Sequence, residues 1–330
     1  MILKNKNIFT NQKTRFVVEE DLFSIAFYNT ENLFDYKNDK HTLDSDYTPG
    51  GRKKWGHYRY QHKVNKIAKV ISKIGTDSCM YPPTLIGLAE IETKQVALDI
   101  IHCETLRYLD YDCIHYESPD ERGIDVALLY HKDFFKLHHS EPIPVNVFET
   151  TGIKDDTRDI LYVKGELHGE PTHVFVNHWP SRRKGIDKTH LKRIALAQLL
   201  SNKISQILEQ EPDAKLLIMG DFNDDPFSES LQKHLLPSKL QNPMKSLLSN
   251  QKGSLIHNGT WHLFDQILHS NSFIEKGNQF VKAKIFNKEF LTDWTGRNKG
   301  EPLRTYIGKF YRGGFSDHFP VFSIFRKKTL

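Results

Sequence analysis

The sequence has few of the features that mark membrane-spanning or disulfide-bonded proteins. No uninterrupted apolar stretch reaches the roughly 18 residues that a membrane-spanning helix requires. The three cysteines, Cys79, Cys103 and Cys113, are too few and too scattered for a disulfide framework or a zinc site. The N-terminal segment is basic but holds no apolar block of about 7–15 residues, so no secretory signal is evident. We therefore expect a cytoplasmic protein with no membrane partner.

The sequence also has no large excess of positive or negative residues. The 46 Lys and Arg residues exceed the 41 Asp and Glu residues by only five. Such a surplus permits binding of a polyanion but does not require it. No His-x-x-x-His or Cys-x-x-Cys pair offers a site for zinc. The 38% of hydrophobic residues is enough for a substantial core and excludes a wholly disordered chain.

Short strands interrupted by a few helices are the predicted elements. Residues 24–29 alternate in polarity, whereas residues 84–90 and 215–219 are continuous apolar runs typical of strands buried on both faces. Apolar residues at helical spacing predict helices over 56–75, over 94–109 and around 194–207. This mixture favours two stacked sheets flanked by helices. We predict an N-terminal extension over residues 1–21 and a single domain over residues 22–330.

Polar residues recur at or just after the ends of the predicted strands. These segments are Asn29-Thr30-Glu31-Asn32, Glu90, Asn177-His178, Gly220-Asp221-Phe222-Asn223, Asp265, and Ser316-Asp317-His318. Side chains at several strand ends can converge on one pocket. Carboxylate and amide oxygens suit Mg²⁺, Mn²⁺ or Ca²⁺, and imidazoles can move protons at neutral pH. Together they fit metal-assisted displacement at phosphorus.

Each segment taken alone also has a structural explanation. Residues 220–226 could form only a turn, since Gly, Asn, Asp and Pro all favour turns. Asp265 could cap a strand, and His178 could be a core histidine with satisfied hydrogen bonds. Glu90 differs, because an unpaired carboxylate at the end of so apolar a run would be costly. The order in which the segments occur together favours a site.

That order resembles the endonuclease/exonuclease/phosphatase superfamily, from about Leu22 to Phe325. Gly-Asp-Phe-Asn and Ser-Asp-His are the specific motifs, whereas Asn-x-Glu and the lone Glu90 are weak without them. Residues 29–34, 177–182 and 314–320 look most like a bacterial, nuclease-like branch. The resemblance implies an α/β fold, a four-layer α/β/β/α sandwich of two stacked mixed β-sheets flanked by helices, with the site at one edge of the paired sheets.

The resemblance also implies roles for individual residues. Glu90 matches the principal ligand of a Mg²⁺ or Mn²⁺ ion, with Asn29 and Asp317 as further oxygen donors. Asp265 matches the partner of His318, which would activate water or hold the phosphate. The remaining catalytic residues are expected to be Asp221 and Asn223, which position the nucleophile and a phosphate oxygen, and His178, the candidate acid. Expected substrate-binding residues are Asn29, Asn177, Arg122 and Arg182. The two arginines could make charge-assisted contacts to phosphate or simply be solvated.

The substrate is inferred partly by elimination. The segment Leu88-Ala89-Glu90 departs from the Gln-Glu-Thr signature of abasic-site enzymes, and the sequence around Asp265 departs from that of inositide 5-phosphatases. A basic run at residues 181–185 suits a nucleic-acid backbone. We expect a divalent-metal-dependent nuclease that hydrolyses phosphodiester bonds, with no obligate protein partner inferred. A phosphoesterase acting on a small-molecule or lipid phosphate, and a non-catalytic binding protein of the same fold, are the alternatives.

Overall fold

The computed structural model describes residues 21–148, 152–182 and 185–328. The strands are β1 (Leu22–Leu33), β2 (Leu85–Ile91), β3 (Tyr111–His115), β4 (Asp125–His131), β5 (Phe135–Ile143), β6 (Val147–Phe148), β7 (Lys154–Asp155), β8 (Ile160–Leu167), β9 (Glu170–His178), β10 (Leu216–Asp221), β11 (Leu240–Gln241), β12 (Leu255–His257), β13 (Thr260–His262), β14 (Asp265–Ser270), β15 (Asn278–Ile285), β16 (Tyr306–Ile307), β17 (Phe310–Tyr311) and β18 (Val321–Lys327). The helices are α1 (His57–Ile71), α2 (Lys94–Ile101), α3 (Ile186–Gln210) and α4 (Asn271–Glu275).

Two six-stranded mixed sheets form the centre of the fold. The first sheet has the order β15-β18-β1-β2-β4-β3, and the second has the order β11-β14-β10-β9-β8-β5. Each contains one parallel pair near its middle, β1 with β2 and β9 with β10, and the remaining pairs are antiparallel. Helices α1 and α2 cover the outer face of the first sheet, and α3 covers that of the second. The expected four-layer α/β/β/α sandwich is therefore confirmed.

The apolar runs of the sequence correspond to strands that are buried on both faces. In β1, Ala26 and Tyr28 pack toward helices α1 and α2, whereas Ile25 and Phe27 pack against the second sheet. Successive side chains of a strand point to opposite faces, so a central strand in this sandwich has no polar face. Complete burial of each such side chain contributes about 1.5–3 kcal/mol.

The sequence-based boundaries are least accurate where the chain is exposed. Helix α2 ends at Ile101, not at residue 109, and residues 103–108 form turns from which Leu106 still reaches the core. Strand β5 was not predicted because it is an edge strand whose middle residues, including His138 and His139, are exposed and show no apolar alternation. No helix within the described residues is long and apolar enough to span a bilayer. The predicted extension lies outside the described residues apart from Asp21, and the single domain over residues 22–330 stays a prediction.

The ends of the central strands meet at one edge of the sandwich. The C-terminal ends of β9 and β10 lie beside the N-terminal end of β14, as shown by the pairing of Asp221 with both His178 and Asp265. The parallel strands β1 and β2 end at the same edge, where Asn29 Nδ2 donates to Asp221 Oδ2. The chain just before β18 reaches the same edge, because Ser316 Oγ donates to Asn29 O at 2.7 Å. This edge therefore gathers the polar segments that the sequence analysis singled out.

Gly220 allows the two parallel strands β9 and β10 to approach each other. A Cβ atom at this position would lie 2.5 Å from Asn177 O and 2.6 Å from Asn177 Cβ. We expect Gly220→Ala to lower the free energy of unfolding by about 1–3 kcal/mol, because backbone atoms must move to accept the methyl group. Urea unfolding measures the change, and Gly50→Ala is the matched control, since its Cβ would meet no atom within 4 Å. Equal stability of the two variants would contradict the steric explanation.

Candidate active site

A hydrogen-bonded aspartate–histidine pair lies at the centre of this edge. His318 Nδ1 and Asp265 Oδ2 are 2.7 Å apart, and Asp265 is completely buried. A carboxylate at Nδ1 holds a proton on that nitrogen and leaves Nε2, which lies 4.0 Å from Asp221 Oδ2, for other partners. Burial lowers the pKa of His318, but the carboxylates of Asp265, Asp221 and Asp317 outweigh it and raise that pKa well above its usual value. The pair is thus arranged to hold and exchange a proton at Nε2.

Asp221 links the two imidazoles of the site. Its Oδ2 atom lies 3.8 Å from His178 Nε2 and 4.0 Å from His318 Nε2. Asn29 Nδ2 donates to the same oxygen at 3.0 Å, and the backbone N–H of Asn223 donates to Oδ1 at 2.9 Å. Burial and the charge of Asp265 raise the pKa of Asp221 to about 7. The residue is fixed by hydrogen bonds on both oxygens.

Glu90, at the end of β2 in the first sheet, lies close to His178, at the end of β9 in the second sheet. Its Oε1 atom is 3.9 Å from His178 Nε2, and its Oε2 atom accepts the backbone N–H of Asn32 at 2.6 Å. The side chain keeps 12% of its surface exposed, so one carboxylate oxygen can reach a ligand. The backbone of Glu90 has φ 64°, a left-handed conformation, where the pairing of β2 with β4 shifts register. Bulges and strained residues of this kind re-aim side chains and cluster at functional sites.

Asp317 completes the group of converging carboxylates. Its Oδ1 atom lies 4.0 Å from His318 Nε2, and its Oδ2 atom accepts Arg304 Nη2 at 2.8 Å. The carboxylates of Glu90, Asp221 and Asp317 are therefore joined through two histidines by steps of 3.8–4.0 Å. The six segments that the sequence analysis selected do converge on one site.

A buried network of ion pairs and hydrogen bonds around Lys63 and Glu31 adjoins the site, and the sequence analysis did not identify it. Lys63, which is 1% exposed, donates to Thr305 Oγ1 and Phe315 O, and its Nζ atom lies 3.8 Å from Glu31 Oε2. Glu31 also accepts the backbone N–H of Thr305 at 2.6 Å and lies 3.6 Å from Arg304 Nε. Burial raises the pKa of Glu31 and lowers that of Lys63 to about 8. The network ties the end of β1 to the loop that precedes the Ser-Asp-His motif.

Removing the cation of this network should destabilise the fold. We expect Lys63→Met to lower the free energy of unfolding by about 3–5 kcal/mol, because it leaves the buried Glu31 carboxylate with a single cationic neighbour. Lys69→Met, on an exposed position of the same helix, is the control and should change stability by about 0.5 kcal/mol or less. Chemical denaturation of both variants measures the difference. A loss for Lys63→Met no larger than that of the control would show that the buried pair does not stabilise the fold.

Several predicted substrate-binding side chains have protein partners in the structure. Asn177 is fully buried, its Nδ2 atom donating to Met219 O and its Oδ1 atom accepting Trp179 Nε1, both at 3.2 Å. Arg182 donates to Asn223 O and to Asp224 Oδ1 at 2.9 Å. Both side chains thus hold the ends of β9 and β10 and the loops that follow them, and a direct contact with substrate stays a prediction.

Arg122 and Asn223 also have protein partners in the structure. Arg122 lies 3.8 Å from Asp120 and lines a cleft together with Arg158, which donates to Trp179 O at 3.0 Å. Asn223 Nδ2 donates to the same carbonyl at 2.9 Å. Of the basic run at residues 181–185, Arg183 and Lys184 lie outside the described residues. The roles of Arg122 and Asn223 toward substrate stay predictions.

The donor chemistry of the site fits a hard divalent cation. One ligand atom from each of Asp221, Asp265 and His318 lies within 4.8 Å of the others. Asp265 Oδ1 is buried and has no hydrogen-bond partner within the described part of the chain. Within the described residues, the five carboxylates of Glu31, Glu90, Asp221, Asp265 and Asp317 converge here on the cations of Lys63 and Arg304 and on the imidazoles of His178 and His318. Buried negative charge in such excess is costly unless a cation balances it.

Comparison with known proteins identifies the family. The model of the endonuclease/exonuclease/phosphatase family matches residues 24–327. No curated protein matches the chain. Among solved structures, a family protein from Bacteroides thetaiotaomicron has a TM-score of 0.60 at 16% identity, covering 94% of this chain and 100% of that one. A humanized TDP2 from D. rerio has a TM-score of 0.58 at 15% identity, covering 93% of this chain and 100% of that one.

A third solved structure shares the fold at a similar level. It is a mannosyl-6-phosphatase from Bacteroides thetaiotaomicron, with a TM-score of 0.56 at 16% identity, covering 93% of this chain and 100% of that one. Identities this low establish the fold alone, whereas the family model spans nearly all of the described residues. The chain therefore belongs to the endonuclease/exonuclease/phosphatase family, whose members hydrolyse phosphoester bonds.

Proposed function

We propose that this protein is a divalent-metal-dependent phosphodiesterase that acts on nucleic acid. The observation that carries the proposal is the arrangement of His318 and His178, whose Nε2 atoms both face Asp221 Oδ2 within 4.0 Å. Two imidazoles close to one carboxylate can serve the attacking and the leaving oxygen of a displacement at phosphorus. The carboxylates around them supply the ligands for a cation.

Glu90 is the proposed principal ligand for Mg²⁺ or Mn²⁺, with Asn29 and Asp317 as further oxygen donors. The alternative set of Asp221, Asp265 and His318 is less suitable, because it would use both members of the hydrogen-bonded pair of Asp265 and His318 that is proposed to handle the proton. Glu90 and Asp317 are instead partly exposed at the mouth of the site. A bound cation would supply Lewis-acid neutralisation of the phosphate charge.

Different side chains have different proposed roles in proton transfer and substrate positioning. Asp265 keeps one proton of His318 on Nδ1. The neighbouring carboxylates favour a second proton on Nε2, which can hold a phosphate oxygen, and the deprotonated Nε2 can accept a proton from the attacking water. His178 Nε2, between Glu90 and Asp221, is placed to donate a proton to the leaving oxygen. Asp221 and Asn223 position the nucleophile. Arg304, 48% exposed at the rim beside Asp317, offers a cation that can meet an incoming phosphate.

The similarity of fold to a mannosyl-6-phosphatase favours a second candidate, a phosphatase for a small sugar phosphate. A metal-dependent screen separates the two. Single-stranded DNA, duplex DNA, RNA, bis(p-nitrophenyl) phosphate, p-nitrophenyl phosphate and mannose 6-phosphate are compared with MgCl2, with MnCl2 and with EDTA. We expect cleavage of the nucleic acids and of the diester, abolished by EDTA. Turnover of only the monoesters would favour the second candidate, and turnover insensitive to EDTA would contradict both.

A further inference from the structure

Two segments that flank the site form a surface rich in basic and aromatic residues. Residues 52–59 read RKKWGHYR and residues 304–312 read RTYIGKFYR, with seven Lys and Arg residues and no Asp or Glu between them. The second segment contains the hairpin of β16 and β17. We call these two segments together the basic–aromatic surface. Its composition stands out in a chain whose overall charge is nearly balanced.

Cations hold the two segments together through carbonyl oxygens and aromatic rings. Lys53 Nζ donates to Gly308 O at 2.7 Å and lies 4.5 Å from the ring centre of Tyr306. Arg59 lies 4.4 Å from the ring centre of Tyr311, and Tyr306 Oη donates to Lys53 O at 2.9 Å. Within the described residues these contacts give Lys53 and Arg59 no carboxylate partner, whereas Arg52 is paired with Asp46 at 2.7 Å. The surface is therefore preformed and positive.

The aromatic rings at the tips of the two segments are exposed to solvent. Tyr58 at the start of α1 is 80% exposed, and Phe310 in the hairpin is 66% exposed. Trp294, 75% exposed, lies on the neighbouring loop, which Arg312 joins through Asp293 at 2.9 Å. Exposed aromatic rings beside basic residues are the combination that single-stranded nucleic acids bind, through stacking of bases and through charge.

The basic–aromatic surface is continuous with the candidate active site. Arg304, its first residue in the second segment, donates to Asp317 Oδ2 at 2.8 Å. The adjacent Thr305 donates its backbone N–H to Glu31 Oε2 at 2.6 Å. A chain whose phosphate lies at His318 would therefore meet this surface as it leaves the site.

We propose that the basic–aromatic surface binds unpaired nucleotides of the substrate strand next to the scissile phosphate. Bases would stack on Tyr58 and Phe310, and the lysines and arginines would contact phosphates. Stacking on exposed rings requires bases that are not already stacked and paired in a duplex, which makes the preferred substrate single-stranded. The inference deepens the proposed function and rests on it for the position of the cleaved bond. The positive charge and the absence of carboxylates in the two segments favour a polyanion over a protein of mixed charge.

Binding of a labelled oligonucleotide in EDTA tests the proposal without cleavage. The probe is a fluorescein-labelled 20-nucleotide oligo(dT), compared with a 20-base-pair duplex by anisotropy over a range of salt concentrations. We expect the unaltered protein to prefer the single strand. Phe310→Ala combined with Tyr58→Ala should weaken binding of oligo(dT) by roughly tenfold or more, the loss expected for one to two stacked bases. Lys309→Ala should lower the slope of log affinity against log salt by about 0.7.

Tyr108→Ala is the matched control. Tyr108 is 79% exposed with Arg107 over its ring, but it precedes the end of β3 that lies opposite the candidate site. This variant should bind oligo(dT) like the unaltered protein. Equal binding losses for Tyr108→Ala and the double variant, or no loss for the double variant with an unchanged melting temperature, would overturn the proposal. So would preference for the duplex, or binding to vesicles of 30% phosphatidylserine without binding to oligo(dT).

Failure of this inference and failure of the proposed function give different results. Hydrolysis of bis(p-nitrophenyl) phosphate by the unaltered protein, with and without EDTA, reports on the function alone because this substrate has no neighbouring nucleotides. Metal-dependent hydrolysis without a preference for single-stranded substrate would overturn only the proposal that the basic–aromatic surface binds unpaired nucleotides. Single-strand binding that depends on Phe310, in a protein with no metal-dependent hydrolysis, would overturn the proposed function and leave the surface supported.

Discussion

Glu90→Gln is expected to lower metal-dependent phosphodiesterase turnover by roughly 10³-fold or more, the effect of losing several kcal/mol of transition-state stabilisation. The amide keeps the size of the side chain, and its oxygen can still accept the N–H of Asn32 that Glu90 Oε2 now accepts. What it removes is the negative charge that the proposed cation needs. Steady-state hydrolysis of bis(p-nitrophenyl) phosphate at several Mg²⁺ concentrations measures the loss. Thermal unfolding checks that the fold is intact.

Glu92→Gln is the matched control for this substitution. Glu92 lies two residues further along the same strand end, where its Oε2 atom accepts the backbone N–H of Asp35 at 2.5 Å. Its carboxylate has no part in the proposed cation site, so turnover should change by only a few fold. Unchanged turnover of Glu90→Gln, or equal losses in the two variants, would be incompatible with Glu90 as the principal ligand.

Asp265→Asn is expected to lower turnover by about 10²–10⁴-fold, the range for loss of general acid–base catalysis. The asparagine can accept the hydrogen bond from His318 Nδ1, so the imidazole stays in place. It can also present its amide N–H to the ring and so stabilise the tautomer in which Nε2, not Nδ1, carries the proton. His318 would then be unable to accept a proton at the atom that faces Asp221.

A second aspartate–histidine pair provides the control for Asp265→Asn. His262 Nδ1 and Asp225 Oδ2 are also 2.7 Å apart, at the outer side of the loop that follows Asp221. Asp225→Asn alters a hydrogen bond of the same length without altering His318. Initial rates and melting temperatures of both variants are compared. A loss of activity equal to that of Asp265→Asn would indicate that the effect is structural and not specific to His318.

Much of the site could be predicted because its residues belong to short local motifs. Gly220 and Asp221 illustrate why the motif is informative, since a side chain at 220 would collide with Asn177 in the neighbouring strand and only glycine allows the close pairing. Ser316 likewise contributes structure, because its hydroxyl donates to Asn29 O and accepts the N–H of His318 at 3.0 Å. Such positions are visible in sequence because local backbone geometry restricts the residue.

The contacts of Arg182 and Lys63 could not be predicted from the sequence. The position of Arg182 just after His178 predicts a contact with phosphate. In the structure its guanidinium donates hydrogen bonds to Asn223 O and Asp224 Oδ1, which the sequence does not indicate. Lys63 was missed for the opposite reason, since it is a lysine on a regular amphipathic helix and nothing nearby in sequence marks it as buried. Its partners Thr305 and Phe315 lie 242 and 252 residues away. No local pattern can report contacts of that separation.

The amino-acid sequence by itself determined the class of fold and the polar segments at the strand ends, because apolar periodicity and turn-forming motifs act over a few residues. The tertiary structure alone decided which carboxylates lie close together, which cations are already paired, and that Tyr58 and Phe310 are exposed. These depend on how the two sheets pack, for instance on a hydrogen bond between Asn29 and Asp221, 192 residues apart. Burial then shifts the pKa of each group, since removal from water raises the pKa of a carboxyl group.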